Sequence, residues 1–212
     1  MFSATPERTQ FGDFEETFKL IESVMGFLPN STLYMSQDPA LLMSFMMLSK
    51  AVLKQDVKIS FMDKISNSFK FLKTMMQSDR QKDSLPMKYK WLIAYASSHA
   101  AGCFYCQQHT SHSAKQIGIS DEQISEIFTF QNSQLFTEKE KAVIALGIAA
   151  GSVPNATSKQ HFVELANYFT EKEILGLVAV TALFGFLNRW NSTLNPPLED
   201  IFTAHNSPTH AP

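Results

Sequence analysis

The chain has 212 residues, of which 44% are hydrophobic, and a formal net charge of −2. That apolar content excludes a disordered chain, and the length suits one domain or two tightly fused halves. Without a block of Lys and Arg, nucleic acid is excluded as a partner, because phosphate binding needs clustered positive charge. No apolar run approaches the roughly 18 residues of a spanning helix. Residues 1–8 lack the basic and apolar regions of a signal peptide. The expectation is a soluble cytoplasmic protein with no membrane contact. The 18 Phe and 10 Met predict an aromatic core with Met filling gaps.

Residues 1–13 read as a loose polar arm, residues 14–195 as one helical domain and residues 196–212 as a tail. Phe14, Phe18, Ile21 and Met25 recur at helical spacing, and Gly26 ends the run. Asp38 is an N-cap with Pro39 at the first helical position. Leu41, Leu42, Phe45, Met46, Leu48 and Val52 form the apolar face that follows. A further periodic set is Phe61, Met62, Ile65, Phe69, Leu72, Met75 and Met76, with a charged connector at residues 78–83.

Ser84 caps the next helix, with Pro86 in its first turn, and Gly102 breaks it. A helix then starts at the cysteines and stops at Gly118. Ser120 with Gln123, Thr137 with Glu140 and Thr170 with Glu173 are capping boxes that open three more helices. No alternating strand is found, so the predicted class is all-α. Residues 88–102 echo residues 139–151, Leu-Ile-Ala answering Val-Ile-Ala, which is compatible with two pseudo-repeated helical halves or with chance likeness of Ala-rich helices.

The stretch Cys103-Phe104-Tyr105-Cys106-Gln107-Gln108-His109 holds both cysteines of the chain. Two thiols three residues apart close too small a loop to staple a fold. At a helix start the exposed N–H groups and the positive dipole end stabilise a thiolate, so the pair reads as redox-active rather than as inert packing. Cys103, Cys106, His109 and His112 also invite a zinc reading. Each three-residue step turns a helix by about 300°, so four such residues spread along about 13 Å, whereas ligands lie within about 2.3 Å of one ion. One helix therefore cannot supply all four ligands, which leaves only a metal site completed by a distant residue, and no metal is expected. No flavin or nicotinamide motif is present, so no cofactor is expected and electrons must come from outside. His109 shares a helix side with Cys106 and is the expected proton-transfer partner, lowering its pKa. His99, His112 and Glu140 are further candidates for a proton relay.

The segment from Leu85-Pro86 through Gly102-Cys103-Phe104-Tyr105-Cys106 to Gly118-Ile119-Ser120 resembles the carboxymuconolactone decarboxylase-like family, in its alkylhydroperoxidase D and peroxidase-related branch. Met25-Gly26-Phe27-Leu28-Pro29-Asn30 and Asp38-Pro39 are similar to the lead-in of the peroxidase-related members. The resemblance implies an alkylhydroperoxidase D-like helical fold, a homotrimer or homohexamer, and thiol–disulfide or peroxide chemistry. It also implies that the second cysteine attacks, with a histidine four residues after it and a glutamate twelve before the first cysteine relaying its proton. Those two positions here hold Thr110 and Trp91. The expected function is a thiol-dependent peroxidase or disulfide oxidoreductase in antioxidant defence. It would act on a small hydroperoxide or protein disulfide and be restored by an external dithiol or protein reductant. The alternatives are a lactone-processing decarboxylase, or a non-catalytic redox-sensing helical oligomer.

Overall fold

A computed structural model describes residues 6–53 and 85–203. The periodic set from Phe61 to Met76, the connector at residues 78–83, the Ser84 cap and the end of the tail lie outside the described residues. The chain divides into two compact units, residues 2–83 and residues 84–212. Every regular element among the described residues is a helix.

In the first unit a 3-10 turn, Arg8–Phe14, leads into α1 (Glu15–Met25), α2 (Asn30–Met35) and α3 (Pro39–Leu53). Residues 8–13 are thus not a loose arm. The Arg8 guanidinium holds them to α1 through Glu15 at 2.8 Å and Glu22 at 2.6 Å. Gly26 ends α1 at φ 80°, a conformation that costs glycine little because it has no Cβ. Asp38 caps α3 as the sequence predicts, its Oδ1 accepting from the Ala40 and Leu41 amides at 3.0 and 3.2 Å. Phe18, Leu33 and Leu42 make the buried centre of this unit, with Phe11, Phe14, Leu28, Met35 and Met46 packed around them. Each such fully buried side chain stabilises by about 1.5–3 kcal/mol relative to exposure.

The second unit contains α4 (Met87–Ala100), α5 (Phe104–Gln116), α6 (Asp121–Ser125), α7 (Glu138–Gly151), α8 (Lys159–Ala166), α9 (Glu171–Leu194) and α10 (Asp200–Thr203). The three capping boxes form as read: Ser120 with Gln123, Thr137 with Glu140 and Thr170 with Glu173. Gly102 and Gly118 break the chain at φ 69° and 93°. Pro86 is the N-cap of α4 rather than a first-turn residue, so the helix starts two residues later than the Ser84 cap implied. Residues 200–203, read as tail, are helical.

The core of this unit is the pairing of α4 with α7. Leu92, Ile93, Ala94 and Ala96 of α4 and Val143, Ile144 and Leu146 of α7 are almost completely buried. Small residues let the two helices approach closely. A Cβ on Gly147 would stand 2.9 Å from Ala96 Cβ, and one on Gly151 would overlap the backbone of Ser97. These are the two segments that echo each other in sequence, and the close approach requires Gly at 147 and 151.

Helix α9 corrects one sequence expectation. It has 24 residues and an 18-residue window of mean hydropathy 1.3, which by length and composition suffices to cross a membrane. Ile174, Leu175, Leu177 and Asn188 face the interior of the unit, while Leu183, Phe186, Trp190 and Leu194 are exposed.

Candidate functional site

The thiol pair is built by the break between α4 and α5. Gly102 turns the chain, and the Cys103 amide donates back to the Ser98 carbonyl at 3.1 Å. Cys103 is then the N-cap of α5, its sulfur accepting from the Cys106 amide at 3.4 Å. An N-cap residue faces the amides of the next turn, so the three-residue spacing delivers Cys106 onto the Cys103 side chain. The sulfurs are 2.7 Å apart, both residues carry free thiols, and both are buried. The Thr110 hydroxyl donates to the Cys106 carbonyl at 2.6 Å, closing the turn from below.

A third group completes the pair. Asn191 of α9 donates from Nδ2 to the Cys106 sulfur at 3.3 Å. Sequence reasoning missed it. The available signal was Asn188 and Asn191 three residues apart just beyond the apolar run of the helix, which places two amides on one side of it.

The electrostatics differ from expectation. Burial pushes the Cys106 thiol up to about 12; the Asn191 amide opposes that shift and Cys103 adds to it. Removal from water penalises the thiolate more than the helix start and the amide favour it. His109 does not offset this through a direct bond. Its Nδ1 is 3.1 Å from the Tyr105 carbonyl and its Nε2 is 3.1 Å from Glu199. The Cys106 sulfur instead has Cys103 and Asn191 as its side-chain partners.

His109 belongs to a second cluster on the outer side of α5. Its ring stacks on Tyr105 with centroids 4.2 Å apart and leans on Phe202 of α10 at 4.6 Å. The Tyr105 hydroxyl donates to Glu199 at 2.5 Å. The Tyr105 bond holds the Glu199 carboxyl below the usual carboxylate range, and the same carboxylate raises the Tyr105 phenol. His112 stands edge-on to Phe202 and pairs with Gln116 at 3.0 Å.

The other relay candidates lie elsewhere. His99 packs against Phe128 at 4.1 Å and Tyr95 at 6.0 Å between ring centroids. Glu140 is the carboxylate of the α7 capping box and pairs with Lys88 at 2.5 Å. Trp91, at the position where the family's glutamate is expected, packs edge-on against Phe184 of α9. The structure therefore brings Cys103, Cys106 and Asn191 together, and groups Tyr105, His109, His112, Glu199 and Phe202 separately. Among the described residues no group of three or more His, Cys, Asp or Glu side chains is arranged to hold a metal ion.

Residues 67–149 match the carboxymuconolactone decarboxylase family. No curated protein matches the chain. Among solved structures, the apo debrominase Bmp8 is 32% identical, over 96% of this chain and 96% of that one, at a TM-score of 0.54. A Cys-to-Ala variant of Bmp8 in complex with 2,3,4-tribromopyrrole is 31% identical, over 96% of this chain and 95% of that one, also at 0.54. A protein of unknown function from Agrobacterium tumefaciens, proposed to be an antioxidant defence protein of AhpD type, is 20% identical over 67% of this chain and 97% of that one. Its TM-score is 0.52, and it shares the all-helical fold. With a full-length relative at this identity and a family match that spans the thiol pair, the chain belongs to the carboxymuconolactone decarboxylase family.

Proposed function

We propose that this chain is a thiol-dependent reductase that passes two electrons from Cys103 and Cys106 to a small electrophile. The observation that carries the reading is the 2.7 Å approach of two buried free thiols at the start of α5. At that distance one sulfur can take an electrophilic atom and the other can displace it without any backbone rearrangement.

With a hydroperoxide, the Cys106 thiolate attacks the distal oxygen and the O–O bond breaks. Cys106 becomes a sulfenic acid and the alkoxide leaves as alcohol after taking a proton. The Cys103 thiolate then attacks Cys106, the S–O bond breaks and water leaves. The balance is one hydroperoxide and two thiols giving one alcohol, one water and one disulfide. An external dithiol reduces the disulfide by exchange. Asn191 favours the thiolate through its Nδ2–H donor.

A second reading, reductive debromination, is favoured by the full-length similarity to a debrominase. The same two sulfurs serve. Cys106 takes the bromine as the C–Br bond breaks, the ring carbon takes a proton, and Cys103 displaces bromide to leave the disulfide. A lactone-processing role has no use for a dithiol.

The test is consumption of tert-butyl hydroperoxide, and of a brominated pyrrole, with dithiothreitol as reductant. Native protein should turn over at least one of them, and Cys106→Ser neither. Cys103→Ser should give a single event that stalls with the atom still on sulfur, read by mass spectrometry. Native protein inert towards both substrates, or equal residual turnover in both single variants, would refute the reading.

A further inference from the structure

Among the described residues of the second unit, two side-chain polar atoms are buried without a hydrogen-bond partner: Ser98 Oγ and Asn188 Oδ1. Ser98 is wholly buried and Asn188 is 5% exposed. A buried group left unmatched loses its hydrogen bonds to water and gains none in return, so such atoms need another explanation than packing.

Both belong to helices that already touch the thiol pair. Ser98 accepts the Cys103 amide through its carbonyl, and Asn188 precedes Asn191, the Cys106 donor, by one turn. Helices α4 and α9 run in the same direction. A Cβ on Gly176 would meet Leu85, and two turns on Trp91 packs against Phe184. Ser98 lies seven residues beyond Trp91, and Asn191 seven beyond Phe184, so the register of the two helices carries Ser98 to the level of Asn188 and Asn191.

We propose that Ser98 and Asn188 form, with Asn191, a hydrogen-bonding subsite beside Cys106 for a small apolar molecule carrying one N–H or O–H donor. The proposal rests on the reductase reading for its ligand class. The Asn188 carbonyl oxygen can only accept, so it accepts the hydrogen bond from the ligand's N–H or O–H. The Ser98 hydroxyl can both give and take. Asn191 Nδ2 is engaged with sulfur and keeps the reacting atom apart from the donor of the ligand. Such a site rejects an analogue that lacks the donor, because the Asn188 oxygen is then left unmatched. A pyrrole N–H and a hydroperoxide O–H share this chemistry.

The test is calorimetric binding to the Cys106→Ala protein, in which no turnover occurs. Two matched pairs distinguish the sources: 2,3,4-tribromopyrrole against its N-methyl analogue, and tert-butyl hydroperoxide against di-tert-butyl peroxide. At least one donor-bearing member should bind roughly tenfold or more tighter than its partner. Asn188→Leu and Ser98→Ala should each shrink that gap. Asn188→Leu should also leave the ligand-free melting temperature unchanged or higher, since an unmatched group is removed. Equal affinities within both pairs, a gap that survives both substitutions, or no binding by any probe would overturn the subsite. So would a lower melting temperature in Asn188→Leu, which would mark the oxygen as partnered by buried water in the free protein. Because the binding assay reads no chemistry, a native protein without reductase turnover would sink that reading and leave the subsite standing.

Discussion

Replacing Asn191 by Leu removes the one side-chain amide that donates to the Cys106 sulfur while keeping the volume of the residue. The bond is 3.3 Å long and lies in a partly buried setting. A hydrogen bond to a charged acceptor contributes about 1.5–3 kcal/mol. At about 1.4 kcal/mol per factor of ten, its loss should raise the Cys106 thiol further and cut the thiolate fraction roughly ten- to hundredfold. Alkylation slows by less than the loss of thiolate, because a more basic sulfur is a better nucleophile, with a Brønsted coefficient of about 0.4–0.5. The net expectation is a slowing of about three- to tenfold at pH 8. The assay is iodoacetamide labelling in a Cys103→Ser background, so that one thiol is followed, with thiolate absorbance near 240 nm giving the titration directly. With Asn191 in place, the labelling rate should keep rising with pH through pH 9, since burial holds the thiol up. An Asn191→Leu protein with an unchanged titration and an unchanged rate would refute the reasoning, and would assign the thiol's ionisation to the helix start alone.

Three further predictions follow from particular contacts. His109→Ala should change Cys106 labelling at pH 7 by less than about twofold, because both ring nitrogens are engaged away from the sulfur; a tenfold slowing would instead make it the activating base. Burial works against the ionised Glu140 carboxyl, but Lys88 and Thr137 hold it below its usual range, so its contribution is present above the unfolded carboxyl pKa and lost as pH falls through the folded one. Glu140→Gln should therefore cost about 1–3 kcal/mol in urea melts at pH 7, with the deficit shrinking towards pH 3.5, and a deficit independent of pH would contradict this. Gly151→Ala forces a Cβ into the Ser97 backbone and should destabilise by about 2 kcal/mol or more, read as a lowered melting temperature; an unchanged melt would show that α4 and α7 can separate freely.

The local devices of this fold were legible in the sequence because each is short-range. A Ser or Thr three residues before Gln or Glu fixes a helix start by two hydrogen bonds within one turn, and Thr137, Thr170 and Ser120 all do so. Glycines at 26, 102 and 118 mark the breaks because their φ is positive. The Cys103–Cys106 spacing likewise fixes the dithiol, since the N-cap and the residue three positions on meet in any helix. What surrounds the pair was decided by tertiary packing. Asn191 stands 85 residues from Cys106 in sequence and meets it only because α9 packs beside α4 and α5. Glu199 takes His109 for the same kind of reason, α10 returning across α5, so the ring at a spacing that suited a proton relay has its Nε2 3.1 Å from a carboxylate instead. Burial, which a sequence does not state residue by residue, then set the sign of the thiol's shift: helix position alone predicts a depressed Cys106, and removal from water raises it.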